Sequence, residues 1–248
     1  MKDTSDKYVK IIEGMSGKYS VWDIWRDFID VSAIAIANVC DLKQTPKREA
    51  EYLRIMKKYT ERECFSIKEL FQMVVDDLEK DADQDILGDV YMKLRINNKY
   101  RGQYFTPYNL SKAMAKMILG KEREGPILIN EPTCGSGSNL IAAANVLKEE
   151  GFDFQRNAYF IAQDIDPVVA KMCYIQMSLL GMPGVVVIGN SLLGITEDME
   201  HWYTLFHYFF GEGILERYRE KRKQEKECKQ ERIIHFKEDW MLELVGLV

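Results

Sequence analysis

The apolar positions change rhythm partway along the chain. Between Ser20 and Leu42 the residues Val21, Ile24, Trp25, Phe28, Ile29, Ile34, Ile36 and Val39 recur mostly three or four apart, which predicts one long helix with a wide buried face. Ser20 is placed as its N-cap, with Asp23 at the third helical position. A second helix is predicted after Thr45-Pro46, where proline suits the first turn, running through Tyr52, Leu53, Ile55, Met56 and Tyr59. A third is predicted from Ser66 to about Asp81 through Leu70, Phe71, Val74, Val75 and Leu78, and a short one begins at Asp85. Met1 to Gly17 is polar and expected to be loosely held, with Tyr8, Val9, Ile11 and Ile12 as its only packing contacts. The aromatics Trp22, Trp25, Phe28, Tyr52, Tyr59, Phe65 and Phe71 follow the apolar stripes, so they read as a helical core rather than as base-stacking surfaces.

Further on, short apolar runs alternate with helical ones. Helix Tyr108 to Leu119 leads to strand Ile127 to Asn130, helix Leu140 to Glu150, strand Ala158 to Gln163, helix Val168 to Leu180 and strand Val185 to Ile188. Strand and helix in alternation predict an α/β domain with a parallel sheet. The tightest punctuation falls after the first strand, at Glu131-Pro132-Thr133-Cys134-Gly135-Ser136-Gly137. Gly135 and Gly137 lack a Cβ, so the chain can turn sharply there and a ligand can lie against bare peptide N–H groups. A dinucleotide fingerprint would need a third glycine where Leu140 stands, and a Walker loop would need Gly-Lys-Ser/Thr, which is absent.

Composition narrows the classes. The 248 residues carry a net charge of −5, so nucleic-acid binding would have to come from a local patch or a partner chain. A hydrophobic content of 46% is ample for one α/β domain and a smaller companion. Cys40, Cys64, Cys134, Cys173 and Cys228 include no Cys-x-x-Cys pair, which fits reduced thiols and implies no metal site. No charged-then-apolar leader opens the sequence, and the small-apolar run Val31 to Cys40 is shorter than a membrane span; a soluble, cytoplasmic protein is expected.

The glycine loop with its flanks resembles the Asp/Asn/Glu-Pro-x-x-Gly-x-Gly loop of S-adenosylmethionine-dependent DNA methyltransferases of the N6-adenine type. Upstream, Gly102-Gln103-Tyr104-Phe105-Thr106-Pro107 resembles the Gly-Gln-Phe/Tyr-x-Thr-Pro motif of type I restriction-modification methylase subunits, which lies over the methionine end of the cofactor. Downstream, Asp164-Ile165-Asp166-Pro167 is similar to the family's Glu/Asp-Ile-Asp-Pro. Either acid can cap the next helix; the motif assigns the ribose hydroxyls to Asp164 and the cap to Asp166. At the end of the third strand the family carries an Asp that receives the cofactor's adenine amine, and here Asn190 stands, able to accept one hydrogen bond without the charge or to serve as a plain turn residue. The resemblance thus implies S-adenosylmethionine as cofactor and contacts from Gln103, Tyr104, Thr106, Glu131, Pro132, Cys134, Gly135, Gly137, Asp164, Ile165 and Asn190. It also implies the fold: a Rossmann-like methyltransferase domain with a shortened sheet over about 101–210, preceded by a helical domain over 1–100 and followed by a charged helical extension over 211–248.

The family's chemistry needs an Asn/Asp/Ser-Pro-Pro-Tyr/Phe motif to hold the target amine and stack on the flipped-out base. No asparagine follows Asn190 and no proline follows Pro183, so no residue of this chain is assigned a catalytic role. The place is taken by the aromatic run Trp202 to Phe210, readable as a replacement strand, an interface patch or a base-stacking surface, and then by a charged helix from Leu215 to Arg232. A sheet ending there leaves the first strand near an edge that invites another chain, so a homodimer or hetero-oligomer is expected, with DNA bound through or with a partner subunit. The resemblance implies methyl transfer to N6 of adenine in DNA. The alternative is a non-catalytic cofactor-binding or regulatory subunit that partners a catalytic chain, and a weaker third reading is methylation of a small molecule.

Overall fold

The computed structural model describes residues 5–94, 105–119 and 125–227. Helix α1 (Ser5–Gly14) is the first departure from the sequence reading. Instead of a loose terminus it buries Tyr8 and Ile12 completely, and the Tyr8 hydroxyl donates to Asp77 at 2.8 Å. Its polar residues line an outer face, so low hydrophobicity here signals amphipathicity rather than disorder.

Helix α2 (Val21–Cys40) starts as predicted, with the Ser20 hydroxyl accepting from the Asp23 N–H at 3.1 Å. Helix α3 (Thr45–Met56) follows with Pro46 in its first turn. Helix α4 (Glu61–Lys80) begins five residues before the expected Ser66, because Thr60 and Glu63 form a capping box that satisfies both backbone donors. Helix α5 (Ile86–Lys93) is capped by Asp85. The core reading of the aromatics holds for Trp25, Phe28 and Tyr59, which are buried, whereas Phe65 is 66% exposed. Asp27, buried on α2, is met by the Lys58 ammonium at 2.9 Å and the Tyr59 hydroxyl at 2.9 Å, so the end of α3 is anchored on a charge that would otherwise be costly to bury.

Helix α6 (Tyr108–Leu119) leads to strand β1 (Ile127–Glu131), helix α7 (Ser138–Glu149), the short helix α8 (Phe154–Asn157), strand β2 (Ala158–Asp164), helix α9 (Pro167–Leu179), strand β3 (Gly184–Ile188) and strand β4 (Glu200–Tyr203). The sheet runs β1-β2-β3-β4. Its first three strands are parallel, with Ile129 opposite Phe160 and Ala162 opposite Val186, and the long helices α7 and α9 make the crossovers. This is the α/β, Rossmann-like arrangement with a shortened sheet that the sequence implied. The strand readings hold to within a residue or two.

The aromatic run resolves into two parts. Glu200–Tyr203 is a strand, but it pairs antiparallel to the outer side of β3, with Trp202 opposite Val186. The chain then turns helical, with a π-type turn over His207–Gly211 and helix continuing over 212–227, earlier than the expected Leu215; the last residues of the predicted helix lie outside the described residues. Strand alternation sends Phe160, Ala162, Val186 and Trp202 into the main core beneath α7 and α9, and Tyr159, Val185 and Val187 toward Ile214, Phe210 and Leu215 on the opposite face. Among the described residues β1 pairs with β2 alone, so its outer edge is open.

The helical part is welded to the sheet. One continuous buried cluster runs from Tyr8 and Trp25 to Phe160, Met172 and Trp202. The Arg48 guanidinium lies 4.3 Å from the Trp202 ring and the Lys171 ammonium sits 2.7 Å from Asp30, tying α3 to β4 and α9 to α2.

Candidate cofactor site

The carboxyl ends of β1, β2 and β3 come together because their register is parallel and nearly unstaggered: Glu131 lies opposite Ala162, and Asp164 opposite Ile188. In open parallel sheets ligands bind at this end, where strands give way to loops. The loop after β1 stays bound to the sheet through Cys134 N–H, which donates to the Gln163 carbonyl at 2.9 Å. It then reverses at Gly135 (φ 53°) and Gly137 (φ 100°), left-handed conformations that favour glycine. A Cβ at Gly135 would come within 3.3 Å of the Phe105 ring, and one at Gly137 within 2.9 Å of Cys173 Sγ. Phe105 therefore covers the turn from above and α9 backs it from below.

Asp164 closes the other side. Its carboxylate accepts from Gly135 N–H at 2.9 Å and from Asp166 N–H at 3.0 Å. Asp166 takes the capping role the motif assigned to it, accepting from Val168 N–H at 2.9 Å ahead of Pro167. Burial raises the Asp164 pKa and the two backbone donors oppose that rise. Glu131 accepts from Thr133 N–H at 3.3 Å with one oxygen and from the Asn139 amide at 2.9 Å with the other. Pro132 is exposed beside it. Thr106 lines the same cleft as Gly135, and its carbonyl accepts from the Ser138 hydroxyl at 3.4 Å. Gln103 and Tyr104 lie outside the described residues.

On the third strand, Gly189 N–H donates to the Asp164 carbonyl at 2.9 Å, bringing Asn190 to the same end. Asn190 turns its side-chain oxygen onto its own loop, accepting from Leu192 N–H at 3.1 Å. Ile165, just past the end of β2, and Leu192, just past Asn190, are exposed apolar side chains, 70% and 92% accessible.

Asn139 is a residue that sequence reasoning missed. Its amide nitrogen holds Glu131, while its side-chain oxygen is buried with no partner in the cleft lined by Phe105, Thr106 and Gly135. No linear pattern marks it, since the pair forms only because the loop folds back.

The sequence model of a family described as N-6 DNA methylase matches residues 82–208, just over half of the chain, from the approach to α5 through the glycine loop to the π-type turn. The chain belongs to that family. Among curated relatives, the type I restriction enzyme MjaIX methylase subunit of Methanocaldococcus jannaschii is 26% identical over 113 residues, covering 44% of this chain and 19% of its own length. The type I restriction enzyme MpnII methylase subunit of Mycoplasma pneumoniae is 24% identical over 182 residues, covering 71% of this chain and 29% of its own. The chain thus spans under a third of the length of these relatives. A crystal structure of the methyltransferase subunit of a type I restriction-modification system from Streptococcus thermophilus aligns over 76% of this chain and 43% of that one, with 17% identity and a TM-score of 0.37.

In this member of the N-6 DNA methylase family the loop thiol is not an activated nucleophile. A hydrogen bond with Cys173, and burial after it, hold the Cys134 pKa well above the ordinary thiol value, and the thiolate is the reactive form. Among the described residues no group of His, Cys, Asp and Glu could hold a metal ion, and no helix is long and apolar enough to cross a membrane. Two larger clefts, of about 500 and 830 Å³, lie away from the loop, one among α2, α3 and α4 and one between α3 and β4.

Proposed function

We propose that the chain binds S-adenosylmethionine at the carboxyl ends of β1, β2 and β3, as the cofactor-binding part of a methyltransferase whose acceptor is the N6 amine of adenine in DNA. The observation that carries this reading is the bond from Gly135 N–H to the Asp164 carboxylate, which joins the acid that ends β2 to the glycine turn at the cleft lined by Phe105, Thr106 and Asn139. In that crevice Asp164 would take the ribose hydroxyls, with Ile165 and Leu192 as apolar walls for the adenine and Asn190 at its rim. Glu131 and the partnerless Asn139 oxygen suit an ammonium group, because both are acceptors and, among the described residues, neither is paired with a lysine or arginine. Thr106 and the N-terminus of α7, which has no side-chain cap, offer donors to a carboxylate. Gln103, Tyr104, Pro132, Cys134 and Gly137 complete the contacts in this reading. Bound, the cofactor supplies a methyl group on a sulfonium that departs as a neutral thioether, so the chain's own task is to bind, orient and exclude water.

In this reading residues 1–100 form the helical domain, 101–210 the cofactor domain and 211–248 a charged extension. DNA contact and the acceptor site would come through or with a partner subunit; both curated relatives are named as methylase subunits of type I restriction enzymes. The open edge of β1 is where such a chain, or a second copy of this one, would pair. Light scattering that returned a monomer both alone and with candidate partners would remove that part of the proposal.

Calorimetric titration of S-adenosylmethionine and its demethylated product into the wild type and an Asp164→Ala variant tests the binding. Saturable binding lost in the variant is expected; a wild type that binds neither compound would overturn the reading. A second reading, a non-catalytic cofactor-binding subunit that regulates a catalytic partner, is favoured by one observation. Over residues 191–227 the chain builds β4 on the far side of β3 and then a helix, and these residues contain neither asparagine nor proline. Transfer of labelled methyl groups to DNA by this chain without a partner would exclude it.

A further inference from the structure

A carboxylate that makes none of the proposed cofactor contacts lies buried beneath the glycine loop. Asp85 is 3% exposed and stands at the N-cap of α5, where one oxygen accepts from Gly88 N–H at 2.9 Å. Capping requires no more than that, and a serine would do it. The other oxygen is hydrogen-bonded by the hydroxyl of Ser136, the residue between the two left-handed glycines. Gln176 of α9, fully buried, then closes a ring. Its amide nitrogen donates to Asp85 at 2.8 Å and to the Ser136 carbonyl at 2.8 Å, while its oxygen accepts from Leu87 N–H at 3.3 Å. Ser136 is thus held by both its side chain and its backbone, by groups 51 and 40 positions away in sequence.

Two costs show that this arrangement exceeds what a cap needs. Among the described residues no lysine or arginine pairs with Asp85, so an ionisable group is buried on hydrogen bonds alone. Inside the first turn of α5 stands Gly88, unfavourable for a helix, yet any Cβ there would collide with the Asp85 carboxylate and come within 2.7 Å of the Ser136 hydroxyl. The helix gives up propensity to let the loop approach.

We propose that Asp85, with Gln176, is a positioning residue for cofactor binding: together they hold Ser136, and through it the Gly135–Gly137 turn, in the shape that receives the cofactor. The inference rests on the reading of this loop as the cofactor cradle. By this route α5 and α9 set the affinity of a site to which Asp85 contributes no contact of its own.

Asp85→Ser and Asp85→Asn separate positioning from capping. Both side chains cap a helix. Only asparagine is long enough to accept from Gly88 and Gln176 with its oxygen while donating to Ser136 with its amide. S-adenosylmethionine affinity by calorimetry is expected to fall roughly tenfold or more in Asp85→Ser, and to stay within roughly threefold of wild type in Asp85→Asn. In the unliganded protein, hydrogen exchange of the Ser136 to Ser138 amides should speed up in the serine variant and not in the asparagine one. That second readout stands even where the wild type binds no cofactor, so failure of the functional reading and failure of this one are told apart. Equal affinity and equal loop exchange in the two variants would overturn the proposal. Should Asp85→Ser not fold, Ser136→Ala leaves the cap intact and must show the same loosening of the loop; unchanged exchange there counts equally against it.

Discussion

Asp164 and Gly135 are joined by a 2.9 Å hydrogen bond from the glycine N–H to the carboxylate. The acid that ends β2 and the turn that follows β1 are therefore one structural unit, and what protonates or removes the acid also releases the turn. Burial raises the folded pKa of Asp164. The charged form that holds Gly135 is consequently lost at a higher pH than an ordinary aspartate would lose its charge. S-adenosylmethionine affinity should weaken as pH falls through that raised value, and Asp164→Asn should abolish the dependence while binding less tightly at neutral pH by about 1.5–3 kcal/mol, the worth of a hydrogen bond to a charged group. Calorimetry across pH checks both.

Gly137→Ala meets two obstacles, a φ of 100° and a Cβ 2.9 Å from Cys173 Sγ. Gly151 has a φ of 77° and nothing within 4 Å of its Cβ position, so Gly151→Ala carries backbone strain alone. Denaturant titration should place Gly151→Ala about 1 kcal/mol below wild type and Gly137→Ala about 2–4 kcal/mol below it. Equal losses would mean that α9 gives way freely behind the loop.

Thr60→Ala removes the hydroxyl that accepts from Glu63 N–H and should cost about 1 kcal/mol in the same assay. Thr60→Ser keeps the oxygen and should be close to neutral. Loss in both variants would point to the threonine methyl instead of the cap.

His207 accepts the Tyr159 hydroxyl at 2.8 Å when its Nδ1 is unprotonated, and burial lowers its pKa below the ordinary 6.5. A depressed folded pKa means that the neutral ring is the folded form. The stability it contributes is present above pH 6.5 and is lost as pH falls toward the folded value. Thermal denaturation from pH 7.5 to 5 should therefore show a falling midpoint in the wild type and a flatter profile in His207→Gln.

Local signals were legible wherever the interaction that forms an element is itself local. Ser20 three residues before Asp23, Pro46 in a first turn, and the apolar runs of β1, β2 and β3 each carry their reason within a few residues, and each was readable. The start of α4 was readable too, as the Thr60-x-x-Glu63 box, but the hydrophobic stripe alone pointed to Ser66. Tyr8 and Ile12 read as packing residues but the helix that carries them did not, because two buried apolar positions give too little hydrophobicity to signal it; the partner of Tyr8, Asp77, lies 69 positions away.

The sequence by itself determined the alternation of strand and helix, the glycine turn, and the order of its motifs, because spacing and backbone permission act within a few residues. It also determined that no asparagine follows Asn190. Only the tertiary structure decided that β4 pairs outside β3 and that, among the described residues, nothing pairs with the outer edge of β1. It alone decided that Asn139 reaches Glu131 and that Asp85 and Gln176, 91 positions apart, meet under Ser136. Those outcomes depend on which buried polar groups find one another once the helices have packed, and a lone buried acceptor is costly wherever its partner lies in the chain.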